Sequence, residues 1–354
     1  MAFSNSKLQI SQKLPLMIVG LCILASFVTG AITVNNSENA LISEAKNKLI
    51  GLKASRKHEL KNYLESIEQD LSSLSRLDYV LNALEDFKMA WNQLDLNGDQ
   101  TEILQRLYIT ENPNPTGSKE ELDFATDGSL YSEFHKKYHP WFRHFLRQRG
   151  YYDIFLIEPG GDLIYSVFKE LDYATNLNKG EWKDSDLGNA FRAALDNPEK
   201  QQFFDFAPYG PSHGAPASFI SKAVLDKQNQ VTGVLVFQMP IERINDVMQA
   251  SAGLGETGET FLVGDDYLMR TDSRFSEEST ILKNEVNTAS VDKALNGKER
   301  VQFGSDYQGN KSLIAFSNLD FKDTRWALLA EINKTEVMKP VRNMQIFAVI
   351  TTLA

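Results

Sequence analysis

Ten apolar positions, Leu60, Leu64, Ile67, Leu71, Leu74, Leu77, Leu81, Leu84, Phe87 and Trp91, follow one another at steps of three or four, with Lys, Glu and Asp between them. That spacing lays one apolar stripe along a helix. The pattern runs from about residue 36 to residue 94 without a proline, and Gly51 is its single glycine. It predicts one helix of nearly sixty residues, which would reach roughly 85 Å if straight. Such a helix must lean on a folded domain, on a twin helix in a dimer, or on both.

Ahead of it, residues 14–32 read LPLMIVGLCILASFVTGAI, with no charge. As a helix this run rises roughly 28 Å, about the thickness of bilayer hydrocarbon. A cleaved signal peptide is the rival reading, with Ala25, Gly30 and Ala31 as small residues for a cleavage site. The run is long for a signal, and helical patterning continues beyond it, which favours a retained anchor. Lys7 and Lys13 precede the run, while Glu38 and Glu44 follow it. Positive residues stay inside, so the chain after about residue 34 is expected outside. Residues 344–354, MQIFAVITTLA, form a second apolar run that reads as the start of another span.

Turn signals crowd residues 97–126 (NGDQ, NPNPTGS, TDGS). A helix is predicted at residues 130–149, kinked or restarted at Pro140. Then the period changes. Residues 152–158, 162–169, 202–206, 217–225 and 233–240 read as strands, with a helical pattern at 185–195. These make one α/β module. A shorter copy follows in the same order. Phe261-Leu262-Val263 before GDDYLMRTDS matches Phe155-Leu156-Ile157 before EPGGDLIYS, each read as strand, tight turn, strand. Phe303 and Tyr307 match Phe206 and Tyr209, and Arg325–Ala330 matches Gly233–Gln238 in order of features. Each copy ends in a helix, at residues 241–251 and 334–344.

A net charge of −10, with no basic run beyond two or three residues, argues against a nucleic-acid partner. The single cysteine, Cys22, lies in the first apolar run, so the outer part has no disulfide.

Several motifs dissolve on inspection. Gly253, Gly255 and Gly258 spell a dinucleotide fingerprint, but a helix ends and a strand begins there, the reverse of the required order. They read as a turn between modules. His135, His139 and His144 share part of a helix, yet no carboxylate stands where a hydrolytic zinc site needs one, and a solvated or loosely packed cluster is expected. Asp95, Asn97, Gly98 and Asp99 faintly resemble a calcium loop, but Arg106 occupies the place of its bidentate glutamate. Ser212 and His213 are adjacent and point apart, with no nucleophile elbow around them. No catalytic residue, metal or cofactor is predicted.

Residues 203–219, FFDFAPYGPSHGAPASF, carry the mixture a small-ligand pocket needs: apolar and aromatic walls with a few fixed polar groups. Asp205, Tyr209 and Ser212 are candidate lining residues from this stretch, and Phe203, Phe204 and Phe206 read as core. Asp172, Tyr173 and Trp182, from the loop after the first hairpin, could line the same cavity.

An inner tail, a span, a long helix, two tandem modules and a second apolar run resemble the double Cache sensor domains of bacterial transmembrane receptors. Methyl-accepting chemotaxis proteins are most similar. The stretches YYDIFLIEPGGDLIYS, FFDFAPYGPSHGAPASFIS, LGETGETFLVGDDYLMRTDS and WALLAEI carry the resemblance. It implies PAS-like modules, each an antiparallel sheet with flanking helices. Residues 1–13 would form a cytoplasmic tail, 14–34 the first span and 35–95 the long helix. Residues 96–250 would form the membrane-distal module, 251–336 the membrane-proximal one and 337–354 the start of the second span. It also implies a bacterial inner-membrane protein with its sensor in the periplasm, a small-molecule ligand in the distal module, a homodimer through the long helix, and a cytoplasmic signalling domain beyond this chain. Amino-acid-binding members use an Arg, a Trp-Tyr pair, a later Tyr and a late-strand Asp. Trp182 and Tyr209 occupy matching places, the Arg has no clear counterpart beyond Lys179 or Lys183, and Gln238 stands at the Asp. A neutral amide is a poorer partner for an ammonium than a carboxylate, which puts the usual amino-acid recognition in doubt. The competing outputs are a nucleotide cyclase or a histidine kinase. A membrane-tethered hydrolase would need a nucleophile–base pair that the sequence lacks, and an adhesion or scaffold protein would bind no small molecule saturably.

Overall fold

The computed structural model describes residues 10–94 and 100–353. The rejected calcium-like loop at Asp95–Asp99 lies outside them.

The predicted apolar stripe forms, but as two helices. α1 (Ile10–Leu74) carries the first apolar run and most of the long pattern, and α2 (Asp78–Leu94) the rest. The break at Ser75 has a local cause. Ser73 Oγ donates to Gln69 O, and Ser75 Oγ to Ser72 O, so hydroxyls compete for carbonyls that the helical ladder uses. Leu77, expected on the buried stripe, is exposed in the break. The turn lets α2 fold back to pack on the helix α4 (Leu130–Arg149). Between them lie the short helix α3 (Gln100–Gln105) and a π-helical turn at Arg106–Thr110. Pro140 does not restart α4, which is continuous from its Ser129 cap to left-handed Gly150.

The first sheet comprises β1 (Asp153–Ile157), β2 (Leu163–Ser166), β3 (Gln202–Tyr209), β4 (Ala215–Leu225) and β5 (Val231–Gln238), in the order β2-β1-β5-β4-β3. All its pairings are antiparallel. α5 (Asp186–Asp196), capped by Ser185, lies between β2 and β3 in the chain, and α6 (Ile241–Gln249) follows β5. The second sheet comprises β6 (Glu259–Val263), β7 (Arg300–Ser305), β8 (Lys311–Phe321) and β9 (Thr324–Asn333), in the order β6-β9-β8-β7. α7 (Ala289–Leu295) precedes β7, and α8 (Lys334–Val337) and α9 (Lys339–Leu353) end the chain.

The tandem repeat is therefore one of topology. β1-β5-β4-β3 in the first sheet and β6-β9-β8-β7 in the second have the same order, with β2 the extra edge strand. The expected second strand after β6 is absent. Residues there make only isolated bridges, Val263 with Met269 and Leu268 with Glu285. The three glycines of the false fingerprint lie between α6 and β6 as read, and Gly255 is left-handed.

One helix backs both sheets. Leu49 of α1 packs with Leu313, Ala315, Ala330 and Ile332 of the second sheet. Further along, Leu60, Leu64, Ile67 and Leu71 join the main core with Ile154, Leu156, Leu235 and Phe237 of the first. Gly233 marks the tightest contact. A Cβ there would meet Leu84 Cδ1 at 2.4 Å and Ile157 O at 2.6 Å, so only glycine lets α2 lie this close to β5. Toward its start α1 becomes fully apolar and fully exposed, with Leu14, Met17, Leu21, Leu24 and Phe27 uncovered. Among the described residues it is the one helix long and apolar enough to cross a membrane.

Candidate functional site

The face of the first sheet opposite the long helices holds a second, smaller core. Alternation along the strands sends Phe155, Ile157, Val234, Val236, Phe219 and Tyr209 to this side, under Leu177, Leu187 and Phe191 of the covering loop and α5. Asp153 and Gln238 continue the same alternation where β1 begins and β5 ends, and they pair directly in register. A polar end is thus built onto an apolar face.

Asp153 is fully buried. Its Oδ1 accepts from the backbone N–H groups of Ile154, Val167 and Phe168, which ties down the chain leaving β2, and its Oδ2 has no partner among the described residues. Burial, with Asp172 adding repulsion, pushes its carboxyl well above the usual range. The tied chain next places Lys169 with a positive φ of 61°. Its ammonium turns into the other core, donates to Val167 O at 3.0 Å, and lies about 6 Å from the rings of Tyr108, Tyr165 and Tyr173. Burial brings its pKa down to about 7.

Asp172 follows. Its Oδ2 accepts from Tyr209 OH at 2.5 Å, and its buried Oδ1 has no partner among the described residues. Burial raises its pKa to about 7, although the tyrosine hydroxyl stabilises the charged form. Trp182 donates its indole N–H to Leu171 O and lies against Gly210, where a Cβ would meet its ring at 2.5 Å. Trp182, Tyr209, Gly210, Ala217 and Phe219 line a hollow of about 270 Å³, with the acidic start of α5 at its rim.

The seven candidate residues do not share one cavity. Trp182 and Tyr209 line the hollow just described, with Asp172 bonded to the tyrosine. Ser212 belongs to a separate pocket of about 450 Å³ with Tyr152, Phe168 and Glu170, and its hydroxyl donates to Glu170. Gln238 lines a third, of about 480 Å³, which Ser212, Tyr152 and Phe168 also border. Tyr173 is corrected to the opposite core, where its hydroxyl meets Tyr131 OH at 2.8 Å. Asp205 is corrected to the contact between modules. Its Oδ2 accepts from Arg270 Nε at 2.9 Å, and its Oδ1 from Trp326 Nε1 at 3.0 Å. Lys179 and Lys183 are both exposed and do not line the Trp182 hollow. Asp153, Lys169 and Glu170 were missed by sequence reasoning. The signal available for the first was a lone carboxylate opening the apolar strand DIFLI.

The histidines also differ from expectation. His135 and His139 are fully buried and stacked at 4.3 Å between ring centroids, not solvated or loosely packed. His139 bonds Tyr165 OH and Glu120 O, each at 2.7 Å, and His135 bonds Asp123 O at 2.5 Å. Burial holds both well below the usual imidazole range, so they are neutral members of the core. His144 is exposed. Among the described residues no three His, Cys, Asp or Glu side chains stand as a metal site.

Two antiparallel sheets of shared strand order, strung on one long helix and carrying loop-covered hollows on the first, define a tandem-module architecture. A family model described as Cache domain matches residues 35–341, and the chain belongs to that family. The extracellular domain of vpHK1S-Z8, a protein named as a histidine kinase, shares the fold at 13% identity and a TM-score of 0.53, over 88% of this chain and 99% of that one. The periplasmic sensory domain of the Campylobacter jejuni chemoreceptor Tlp1 matches at 14% identity and a TM-score of 0.47, covering 85% and 99%. The ligand-binding domain of the Pseudomonas aeruginosa amino-acid chemoreceptor PctC, in complex with GABA, matches at 13% and 0.45, covering 81% and 100%. No curated protein matches the chain in sequence.

Proposed function

We propose that residues 35–340 form the extracytoplasmic ligand-sensing domain of a bacterial inner-membrane chemoreceptor, with residues 14–34 as its anchor and the apolar part of α9 entering a second span. Residues 96–250 are the membrane-distal, ligand-binding module, and 251–336 the proximal one. The observation that carries the reading is a single helix running from a fully exposed apolar segment along the backs of both sheets, while the first sheet keeps its other face for a covered hollow. A ligand that prefers one arrangement of the covering loop shifts a two-state equilibrium, and a rigid helix delivers that shift to the membrane. The absence of a counterpart of β2 from the second sheet supports the choice of site, whereas the β3–β4 connection, 210–214, expected to be an insertion, is no longer than the β7–β8 connection, 306–310. Binding takes place without turnover. Ser212 donates to Glu170 and not to the neighbouring His213, which is exposed with a positive φ of 55°.

A thermal-shift screen of small metabolites is expected to yield a stabilising ligand, since binding to the folded state raises apparent stability. Trp182→Ala and Tyr209→Ala should each weaken that ligand at least about tenfold, or 1.4 kcal/mol. Tyr307→Ala, whose ring packs in the second module and whose hydroxyl donates to Glu259, should leave affinity nearly unchanged. Loss of binding in Tyr307→Ala with retention in Tyr209→Ala would place the site in the other module, and conversion of a metabolite would make the protein an enzyme.

A further inference from the structure

Glu259 opens β6 and Glu331 stands near the end of β9, and the two are direct partners in the antiparallel register. Both are buried. The corresponding pair in the first sheet, Asp153 with Gln238, sets one acid beside a neutral amide. In the second sheet the same place holds two acids. A third, Asp306, is buried in the turn between β7 and β8, and its charge acts on both. Carboxylates buried side by side do not all stay ionised at neutral pH.

Their partners divide unequally. Glu259 accepts from Tyr307 OH and from Ser273 Oγ, each at 2.8 Å. Asp306 accepts from Gln308 N at 3.0 Å, Asn310 N at 2.8 Å and Ser312 Oγ at 2.9 Å. Among the described residues no hydrogen bond or ion pair reaches the Glu331 carboxyl, which has Ile314 of β8 on its other side in the sheet. The charged groups around it are engaged elsewhere. Arg274 acts on Glu259 through its field and donates to Gly255 O at 3.1 Å. Lys293 of α7 is bonded to Gln302 at 3.1 Å, and Glu336 of α8 accepts from Glu256 N at 2.8 Å and Thr257 N at 2.7 Å. On the α1 side Lys53 is paired with Glu299, and the charge of Lys48 acts on Glu336. Burial first, then repulsion from Glu259 and Asp306, holds the Glu331 carboxyl well above the usual range, and burial raises Glu259 as well. The two titrate as a unit, and Glu331, with no donor to steady its charge, is the natural holder of the proton.

We infer that Glu331 and Glu259 together form a proton-binding site, and that the second module uses it to report external acidity to the second apolar helix. Glu331 keeps 4% of its surface exposed, which gives a proton a way in from solvent. Both strands that carry the pair are tied to α8. Asn333, two residues past Glu331, donates its N–H to Thr257 Oγ1 at 3.1 Å, and Thr257, two residues before Glu259, donates to Glu336. α8 is followed at once by α9. A carboxyl whose pKa rises on folding stabilises fully below its unfolded pKa and loses that contribution as pH rises through its folded pKa, so acid favours the tight state. As pH rises the proton leaves for water, two buried negative charges repel, and the strand ends that hold α8 loosen. The proton site rests on the geometry of the second module and not on ligand binding in the first. Only the side of the membrane that it samples rests on the placement proposed above.

The test uses the full chain in detergent micelles from about pH 5 to about pH 9, read by infrared spectroscopy and by hydrogen exchange expressed as protection over residues 331–341. At about pH 7 the wild type minus Glu331→Gln should show the carbonyl band of one protonated carboxyl. Protection over 331–341 should fall at least about tenfold as pH rises in the wild type and stay flat in Glu331→Gln, whose amide keeps the shape without a charge. Glu259→Gln removes the repulsion and should move the transition down by at least about one pH unit. Asp172→Asn, in the first module, should leave the profile of this segment unchanged. Circular dichroism checks the fold of each variant. The proposal is overturned if the difference spectrum holds no protonated-carboxyl band, or if Glu331→Gln keeps the wild-type pH dependence. It is also overturned if Asp172→Asn flattens the profile or Glu259→Gln leaves the transition in place. Loss of the pH dependence on adding calcium ions would overturn it as well, because the pair would then be a metal site.

Discussion

Asp205 joins the two modules, and removing it should loosen them. Its carboxylate takes three hydrogen bonds: from Arg270 Nε at 2.9 Å, from Trp326 Nε1 at 3.0 Å, and from its neighbour Phe206 N at 2.8 Å. Arg270 and Trp326 are almost fully buried. Asp205→Ala leaves an indole N–H and one guanidinium N–H without this partner at the contact between modules, at about 1–3 kcal/mol for each buried donor left unpaired. Two effects reduce the sum. Arg270 keeps a bidentate bond to Asp266, with both contacts at 2.9 Å, so the charge retains a counter-ion. The carboxylate is also costly to bury, since desolvation raises its pKa despite Arg270 beside it. A net loss of about 2–3 kcal/mol is expected. Urea denaturation followed by circular dichroism measures it, and Trp326→Phe completes a double-mutant cycle with an expected coupling of about 1 kcal/mol. Unfolding of Asp205→Ala should also broaden or split into two steps as the modules come apart. A loss under about 0.5 kcal/mol with no coupling would refute the reasoning, because the clamp would then be decoration on an interface held by apolar packing.

Two buried groups should shape the pH profile in opposite directions. Asp172 has its pKa raised from 3.8 to about 7, so its stabilising share is complete below about pH 4 and is lost as pH rises through 7, by up to about 4 kcal/mol. Lys169 has its pKa lowered from 10.5 to about 7, so its penalty is full below about pH 7 and fades as pH rises toward 10. Asp172→Asn should flatten the acidic limb of a stability–pH curve and Lys169→Met the alkaline limb, and unchanged limbs would show that neither group titrates as buried. Gly233→Ala should destabilise by about 1–3 kcal/mol in urea titrations, since the added methyl meets the Ile157 carbonyl, which cannot rotate away. A cost near zero would mean that α2 shifts freely over β5. Reporter fusions at residues 120 and 280 should both behave as periplasmic, and activity of a cytoplasm-only reporter at both points would reverse the topology.

The helices and strands were legible in the sequence because their signals are local. A period near 3.6 marks α1, α2 and α4, and a change to short runs rich in Phe, Ile and Val marks the sheets. The repeat was legible too, since the order of strand, turn and helix survives even where identity does not. The exposed apolar start of α1 needs no tertiary information, as nineteen uncharged residues in a row have one economical environment. The direction of single side chains was another matter. Asp172 and Tyr173 are neighbours, yet one bonds Tyr209 beneath the loop and the other meets Tyr131 in the opposite core, because the chain between them lies in a turn that straddles both. Asp205 was assigned to the pocket by its company of aromatics. A bulge between Phe204 and Ala207 instead sends both Asp205 and Phe206 toward Trp326, a residue of the other module. His135 and His139 looked like surface residues on a polar helix until the long α2 and the loop at 119–125 closed over them. Periodicity states which residues share a face. Which partner covers that face depends on contacts between residues far apart in the chain, and only the assembled fold supplies those.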